Sequence, residues 1–224
     1  MKHKDFKMSN YQSFTLDTES AKQADAGGRI ESTGKYVGVI KSMEFVTAKS
    51  GAQGFEINFE SDSKEYTTFT IWTTSKDGKP LSGVHKINAL MACCSVRGLT
   101  PTDKELEKYD FDAGQKVKRI CVVAPEMTDK KVGLLLQREN YINNNGQQRH
   151  QMNFFASFNA TSELMAKEIL DKKTSPELIE KTLSRLLTIG DATRNQQGVQ
   201  QQSSGCGAQQ NTNQNNDLDD DLPF

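Results

Sequence analysis

Apolar and polar positions in the first third of the chain follow the two-residue period of extended strands. Lys35 to Val46 is rich in β-branched and aromatic residues. After a turn at Gly51 to Gly54, the run Phe55-Glu56-Ile57-Asn58-Phe59-Glu60 alternates without a break, so the two stretches predict a hairpin. Past Ser61-Asp62-Ser63, Tyr66 to Thr73 predicts a third strand, closed by the turn Asp77-Gly78-Lys79-Pro80. The period then lengthens: Val84, Ile87, Leu90 or Met91, and Cys94 recur at helical spacing, with Ser82 placed to cap the start and Gly98 beyond the end. Lys116 to Val123 and Val132 to Arg138 predict two more strands, joined by a turn around Thr128-Asp129-Lys130. Gln151 to Phe158 is a further extended run that pairs with Leu134 to Tyr141 across Asn143-Asn144-Asn145-Gly146. Two amphipathic helices follow, Ser162 to Leu170 and Pro176 to Leu187, the second with Ser175 as cap.

Strand-strand-strand-helix-strand-strand is the order of a five-stranded Greek-key barrel of the OB type, whose groove binds oligonucleotides or oligosaccharides. A half-barrel of another topology gives a similar string. The expected fold is mainly β with α additions: this barrel, C-terminal helices and a disordered acidic tail. The expected parts are an N-terminal extension over 1–33, the barrel over 34–160, helices over 161–190, a Gln/Asn-rich linker over 191–216 and an acidic tip over 217–224.

Composition changes this picture at the carboxyl end. Positions 195–216 hold 13 Gln or Asn among 22 residues, too little apolar surface to offset the entropy of ordering, so a disordered tether is predicted. The net charge of −1 conceals an asymmetry. From Gly190 onward stand Arg194 and five aspartates (Asp191, Asp217, Asp219, Asp220 and Asp221). Removing them from totals of 28 basic and 29 acidic residues leaves a body of 27 and 24, about +3, against a tail of about −4. A basic body suits nucleic acid, and an acidic tail suits a different partner or simply solubility.

Several function classes lose support. No run approaches the roughly 18 apolar residues of a membrane span, and Met1 to Asn10 has lysines without an apolar stretch behind them, so a cytoplasmic protein is expected. Cys93, Cys94, Cys121 and Cys206 form no spaced pair suited to a zinc ribbon and no disulfide framework. His3, His85 and His150 are scattered, phosphate-loop and nucleophile-elbow motifs are absent, and Glu56, Glu60, Asp62 and Glu65 read as a solvated strand face sooner than a magnesium site. No enzyme, metal or cofactor is expected.

Bases interleaved with aromatics are present. Unpaired nucleic acid is held without sequence preference when Lys and Arg track phosphates and aromatic faces stack on bases, at roughly 1–3 kcal/mol per stack. Lys35, Lys41 and Phe45 share one parity on the first strand. Tyr66, Thr68, Thr70 and Trp72 share a face opposite Phe69 and Ile71 on the third, so Trp72 is expected to look outward. Lys49, Lys76 and Lys79 lie in loops that rim the barrel, and Arg138 and Tyr141 end a later strand. For any one aromatic, filling the core is the competing reading. Lys35, Lys41, Phe45, Lys49, Tyr66, Trp72, Lys76, Lys79, Arg138 and Tyr141 together are the candidate DNA-binding set.

The tip Asp219-Asp220-Asp221-Leu222-Pro223-Phe224, reached through a Gln/Asn/Gly tether, resembles the carboxyl terminus of bacterial single-stranded DNA-binding proteins. The body looks more like the single-stranded DNA-binding proteins of phages and mobile elements. That likeness runs through Phe14-Thr15-Leu16, Gly34-Lys35-Tyr36-Val37-Gly38-Val39-Ile40 and Thr161 to Leu170. The resemblance implies a protein that coats single strands during replication, recombination or repair and recruits other proteins through those six tip residues. In physical terms Phe224 offers a ring and a carboxylate, Pro223 limits lost chain entropy, and the aspartates steer toward basic partners. An RNA-binding OB protein, a strand-annealing recombinase and an acidic-tailed adaptor are the alternatives, and the oligomeric state is left open.

Overall fold

The computed structural model describes residues 15–18, 27–110, 114–143 and 145–194; the acidic tip and most of its tether lie outside these. The elements in order are β1 (Gly34–Thr47), β2 (Gln53–Ser61), β3 (Tyr66–Thr74), α1 (Gly83–Cys93), β4 (Thr102–Asp110), β5 (Gln115–Val123), a 3-10 turn (Pro125–Met127), β6 (Lys131–Ile142), β7 (Gln148–Phe158), α2 (Ala166–Leu170), α3 (Leu178–Ile189) and β8 (Ala192–Arg194). The described residues thus make a mainly β fold with a few short helices, built on one eight-stranded sheet.

Long β1 organises that sheet. One edge pairs with β2, and β2 with β3, both antiparallel. On its other edge the first half, Gly34 to Val39, pairs with β6, while Glu44 in the second half meets Val123 of β5. β6 continues to β7 on one side and, near its end, to β8 in parallel on the other. The sheet holds two strands beyond the six extended runs read from the sequence: β4, which forms a hairpin with β5 after α1, and the three-residue β8. β4 escapes sequence reading because Lys104, Glu105, Glu107 and Lys108 leave it no apolar alternation; dense charge of this kind is how sheets protect an edge. The sheet is open: β3 and β7 approach each other, with Phe69 and Phe154 ring centroids 5.9 Å apart, but no ladder joins them.

The main core lies inside the curled sheet, where Ile40, Met43, Ile57, Phe59, Phe69 and Ile71 meet Ile87 and Leu90 of α1, and Leu134, Leu136 and Phe154 of the later strands. A second core lies between the sheet and α3, where Ile179 and Leu186 pack on Leu135 and Phe158. Gly133 permits this layer, since a Cβ there would stand 2.1 Å from the Phe158 ring.

Other expectations are also revised. Within the expected N-terminal extension, described residues 27–33 join the sheet: Tyr66 N–H donates to Gly28 O and Ile30 N–H to Tyr66 O, each at 3.0 Å, and Ile30 is buried. Ala192–Arg194, expected in the linker, form β8. Helix 162–170 shortens to α2 because the Asn159 side chain accepts the Thr161 and Ser162 N–H groups in a turn. Ser82 precedes α1 as expected but makes no side-chain cap bond. At α3 the expected cap, Ser175, is replaced by the remote carboxylate of buried Glu168, which accepts the Glu177 and Leu178 N–H groups at 2.6 and 3.0 Å.

Candidate nucleic-acid interface

Alternation along β3 puts Thr67, Phe69 and Ile71 into the core and leaves Tyr66, Thr68, Thr70 and Trp72 on the opposite face. Tyr66 is 50% exposed and Trp72 38%. Where β3 meets β7 without a ladder, a cleft of about 290 Å³ opens, lined by Thr68, Thr70, Trp72, Gln151, Asn153 and Arg194, with Phe69 and Met152 at its apolar base. One wall is therefore hydroxyl and indole, the other amide and guanidinium.

Each wall is tied down by hydrogen bonds. Thr68 Oγ1 donates to Asn58 Oδ1, whose amide donates to Ser42 Oγ at 2.8 Å, a polar ladder running from β3 through β2 to β1. Opposite, Gln151 Nε2 donates to Glu139 Oε2 at 2.8 Å and to Asn153 Oδ1 at 3.1 Å. Arg194 closes on Glu139 with Nε 3.3 Å from Oε1 and Nη2 hydrogen bonded to Oε2, and its guanidinium lies 5.5 Å from the Tyr141 ring centre.

Cationic residues cluster at one end of β3. Lys76 and Lys79 occupy the turn after the strand, and Lys49 the turn between β1 and β2. The two turns abut, since a Cβ on Gly51 would lie 3.2 Å from the Lys76 Cβ. All three lysines are exposed, and none has an ion pair among the described residues. Trp72 stands between this cluster and the cleft. At the other end of β3, Arg29 lies 5.9 Å from the Tyr66 ring centre.

The first-strand candidates are not brought to this site. A one-residue bulge leaves Lys41 unpaired between Ile40–Phe59 and Ser42–Asn58 and reverses the facing of everything after it. Lys35 and Phe45, equal in parity, therefore face opposite sides. Phe45 packs against the core with its ring 4.7 Å from Phe55, and Lys35 pairs with Glu163 at 2.7 Å above the Phe158 ring. Lys41 is exposed, 3.9 Å from Asp129. Arg138 is held by Glu31 O, Asn140 and, at 3.9 Å, Asp191. Tyr141 is near the cleft only through Arg194.

Beyond the cleft, the outer faces of β1 and β2 carry Glu44 and Glu56, paired across the strands and bridged by Lys108 of β4. Glu60, next along, is held by Lys64 at 3.0 Å. These carboxylates would repel phosphate if unpaired, and each is neutralised within the chain.

Sequence reasoning missed Gln151, Asn153, Glu139 and Arg194. The first two were legible, because they alternate with buried Met152 and Phe154. Arg194 was not, because its strand has three residues and borders the polar linker. Among the described residues no group of His, Cys, Asp and Glu is arranged to hold a metal ion, and no helix is long and apolar enough to cross a membrane. Comparison of the chain with protein-family models and with curated proteins finds no match to either.

Proposed function

We propose that the chain is a non-enzymatic, sequence-tolerant single-stranded DNA-binding protein that coats exposed strands during replication, recombination or repair and recruits partner proteins through Asp219 to Phe224. The observation that carries this reading is Trp72, exposed between an amide-lined cleft and three exposed lysines that have no ion pair among the described residues. A flat indole beside cations is the combination that holds stacked bases and phosphates together. The reading takes β1, β2, β3, α1, β6 and β7 as an OB-type barrel, opened between its third and fifth strands and interrupted by the β4–β5 hairpin; the strand order and the approach of β3 to β7 support it.

Titration of the full chain with labelled oligo(dT), oligo(rU) and duplex DNA of equal length tests the function. Tight, salt-sensitive binding of oligo(dT) with weak duplex binding is expected. Preference for oligo(rU) would make it an RNA-binding protein. Binding to none of the three would remove the nucleic-acid role altogether.

A further inference from the structure

We propose that Arg194 serves the cleft as the neutraliser of Glu139 and not as a phosphate contact, so that the pair keeps the cleft wall electrically silent and fixes the direction of its amides. The inference rests on the nucleic-acid function above and specifies how its site tolerates every base.

Glu139 stands behind the wall of the cleft, bonded to its lining residues Gln151 and Arg194, with its side chain only 14% exposed. Alone it would repel a phosphate chain entering the cleft, and poor access to water would leave the repulsion little screened. Arg194 meets both carboxylate oxygens, a two-pronged contact that a planar guanidinium makes and an ammonium cannot. One of its two flat faces lies toward Tyr141. The charge of Arg194 is thus engaged within the chain, although its side chain is 52% exposed.

The pair has a second consequence along the wall. A carboxylate only accepts hydrogen bonds, so Gln151 must turn its NH2 group toward Glu139. The same NH2 donates to Asn153 Oδ1, which orients the second amide in turn. This leaves Gln151 Oε1 as an acceptor and the Asn153 NH2 as a donor, with no other partner among the described residues. Every unpaired base carries at least one donor and one acceptor on its Watson–Crick edge, so an oriented acceptor and donor side by side engage any base without selecting one.

Oligo(dT) binding across a salt series, with the full-length wild-type chain, R194A, E139Q and the E139Q/R194A double variant, tests this. R194A is expected to bind about tenfold more weakly, because it strands a charged Glu139. The double variant is expected to recover to within about threefold of wild type. E139Q frees Arg194 while its remaining carbonyl oxygen still accepts from the Gln151 NH2, so it is expected to bind at least as tightly as wild type, with a salt slope steeper by about one. An R194A variant indistinguishable from wild type overturns the proposal. So does a double variant as weak as R194A, which is how an arginine that touches phosphate directly behaves. E139Q retains Arg194 and its strand, so weaker binding by that variant overturns the proposal even if R194A folds poorly. Failure of the wild-type chain to bind oligo(dT) removes the function and this inference together, whereas binding by wild type with any of the contrary variant results removes the inference alone.

Discussion

Lys108 Nζ lies 2.7 Å from Glu44 Oε2 and 2.9 Å from Glu56 Oε1, joining the β4–β5 hairpin to two strands more than fifty residues earlier. Glu44 and Glu56 are directly paired across β1 and β2, an arrangement of like charges that is unfavourable unless a cation sits between them.

Replacing Lys108 by Met is expected to destabilise the protein by about 2–3 kcal/mol, because it leaves two poorly solvated carboxylates face to face. Burial alone would lower the Lys108 pKa, but the hydrogen bonds to Glu44 and Glu56 outweigh it and raise it. A raised folded value means that the stabilisation is complete below the ordinary lysine range and is lost as pH rises through the raised value. Urea midpoints of wild type and variant should therefore differ most near neutrality and converge in strong alkali. Equal midpoints at pH 7 would show that the bridge contributes nothing.

Glu168 is fully buried and accepts N–H groups from Met165, Glu177 and Leu178. Burial pushes its carboxyl pKa up, and the three backbone donors push it further down, so the net is lowered. The corresponding stability is present above the ordinary carboxylate range and is lost as pH falls through the lowered value. Glu168→Gln, which turns an N–H group toward backbone donors, is expected to cost about 1–3 kcal/mol at neutral pH and less in acid. A denaturant series at several pH values measures both; no loss at neutrality would contradict the capping role.

Trp72→Ala is expected to weaken oligo(dT) binding by about 1–3 kcal/mol, the worth of one stacked base, and Trp72→Phe by less. As the chain's single tryptophan, it should also report binding through quenched emission in the wild type. Unaltered affinity in the alanine variant would take Trp72 out of the DNA path.

Burial lifts the Cys93 thiol pKa to about 11 and the Cys94 thiol to about 12, the latter raised further by its neighbour. Both therefore remain unreactive thiols at physiological pH. Peptide mapping after iodoacetamide treatment at mildly alkaline pH should find both unmodified in the native chain and both modified in denaturant. Native labelling of either would show that the helix carrying Cys93 opens readily.

Deleting Asp217 to Phe224 is expected to leave oligo(dT) affinity equal or increased, since the deletion removes negative charge and none of the cleft residues. It should abolish recruitment of repair or replication proteins in pull-down from bacterial extract. Loss of DNA binding would contradict the division of labour between body and tip.

Much of the scaffold was written in local patterns. The alternation of Phe55 to Glu60 and of Tyr66 to Thr73, and the helical spacing of Val84 to Cys94, are decided by which neighbours in the chain are apolar, so β2, β3 and α1 were readable directly. The outward facing of Trp72 followed from the same alternation. β4 was not readable, since an edge strand with charges on both faces carries no such signal.

The tertiary structure alone decided the rest, because it depends on residues that meet only after the chain has folded. The bulge at Lys41 is set by how β1 registers against β2, and that single extra residue separates Lys35 from Phe45. Arg194 acquires its role from Glu139, 55 positions earlier, and Lys108 from Glu56, 52 positions earlier. Periodicity reaches only a few residues along the chain, whereas charge pairing is settled by distance in space. The sequence alone therefore determined β2, β3 and α1 and which of their faces is apolar, and folding determined the facing of β1 beyond its bulge and which charges the faces keep.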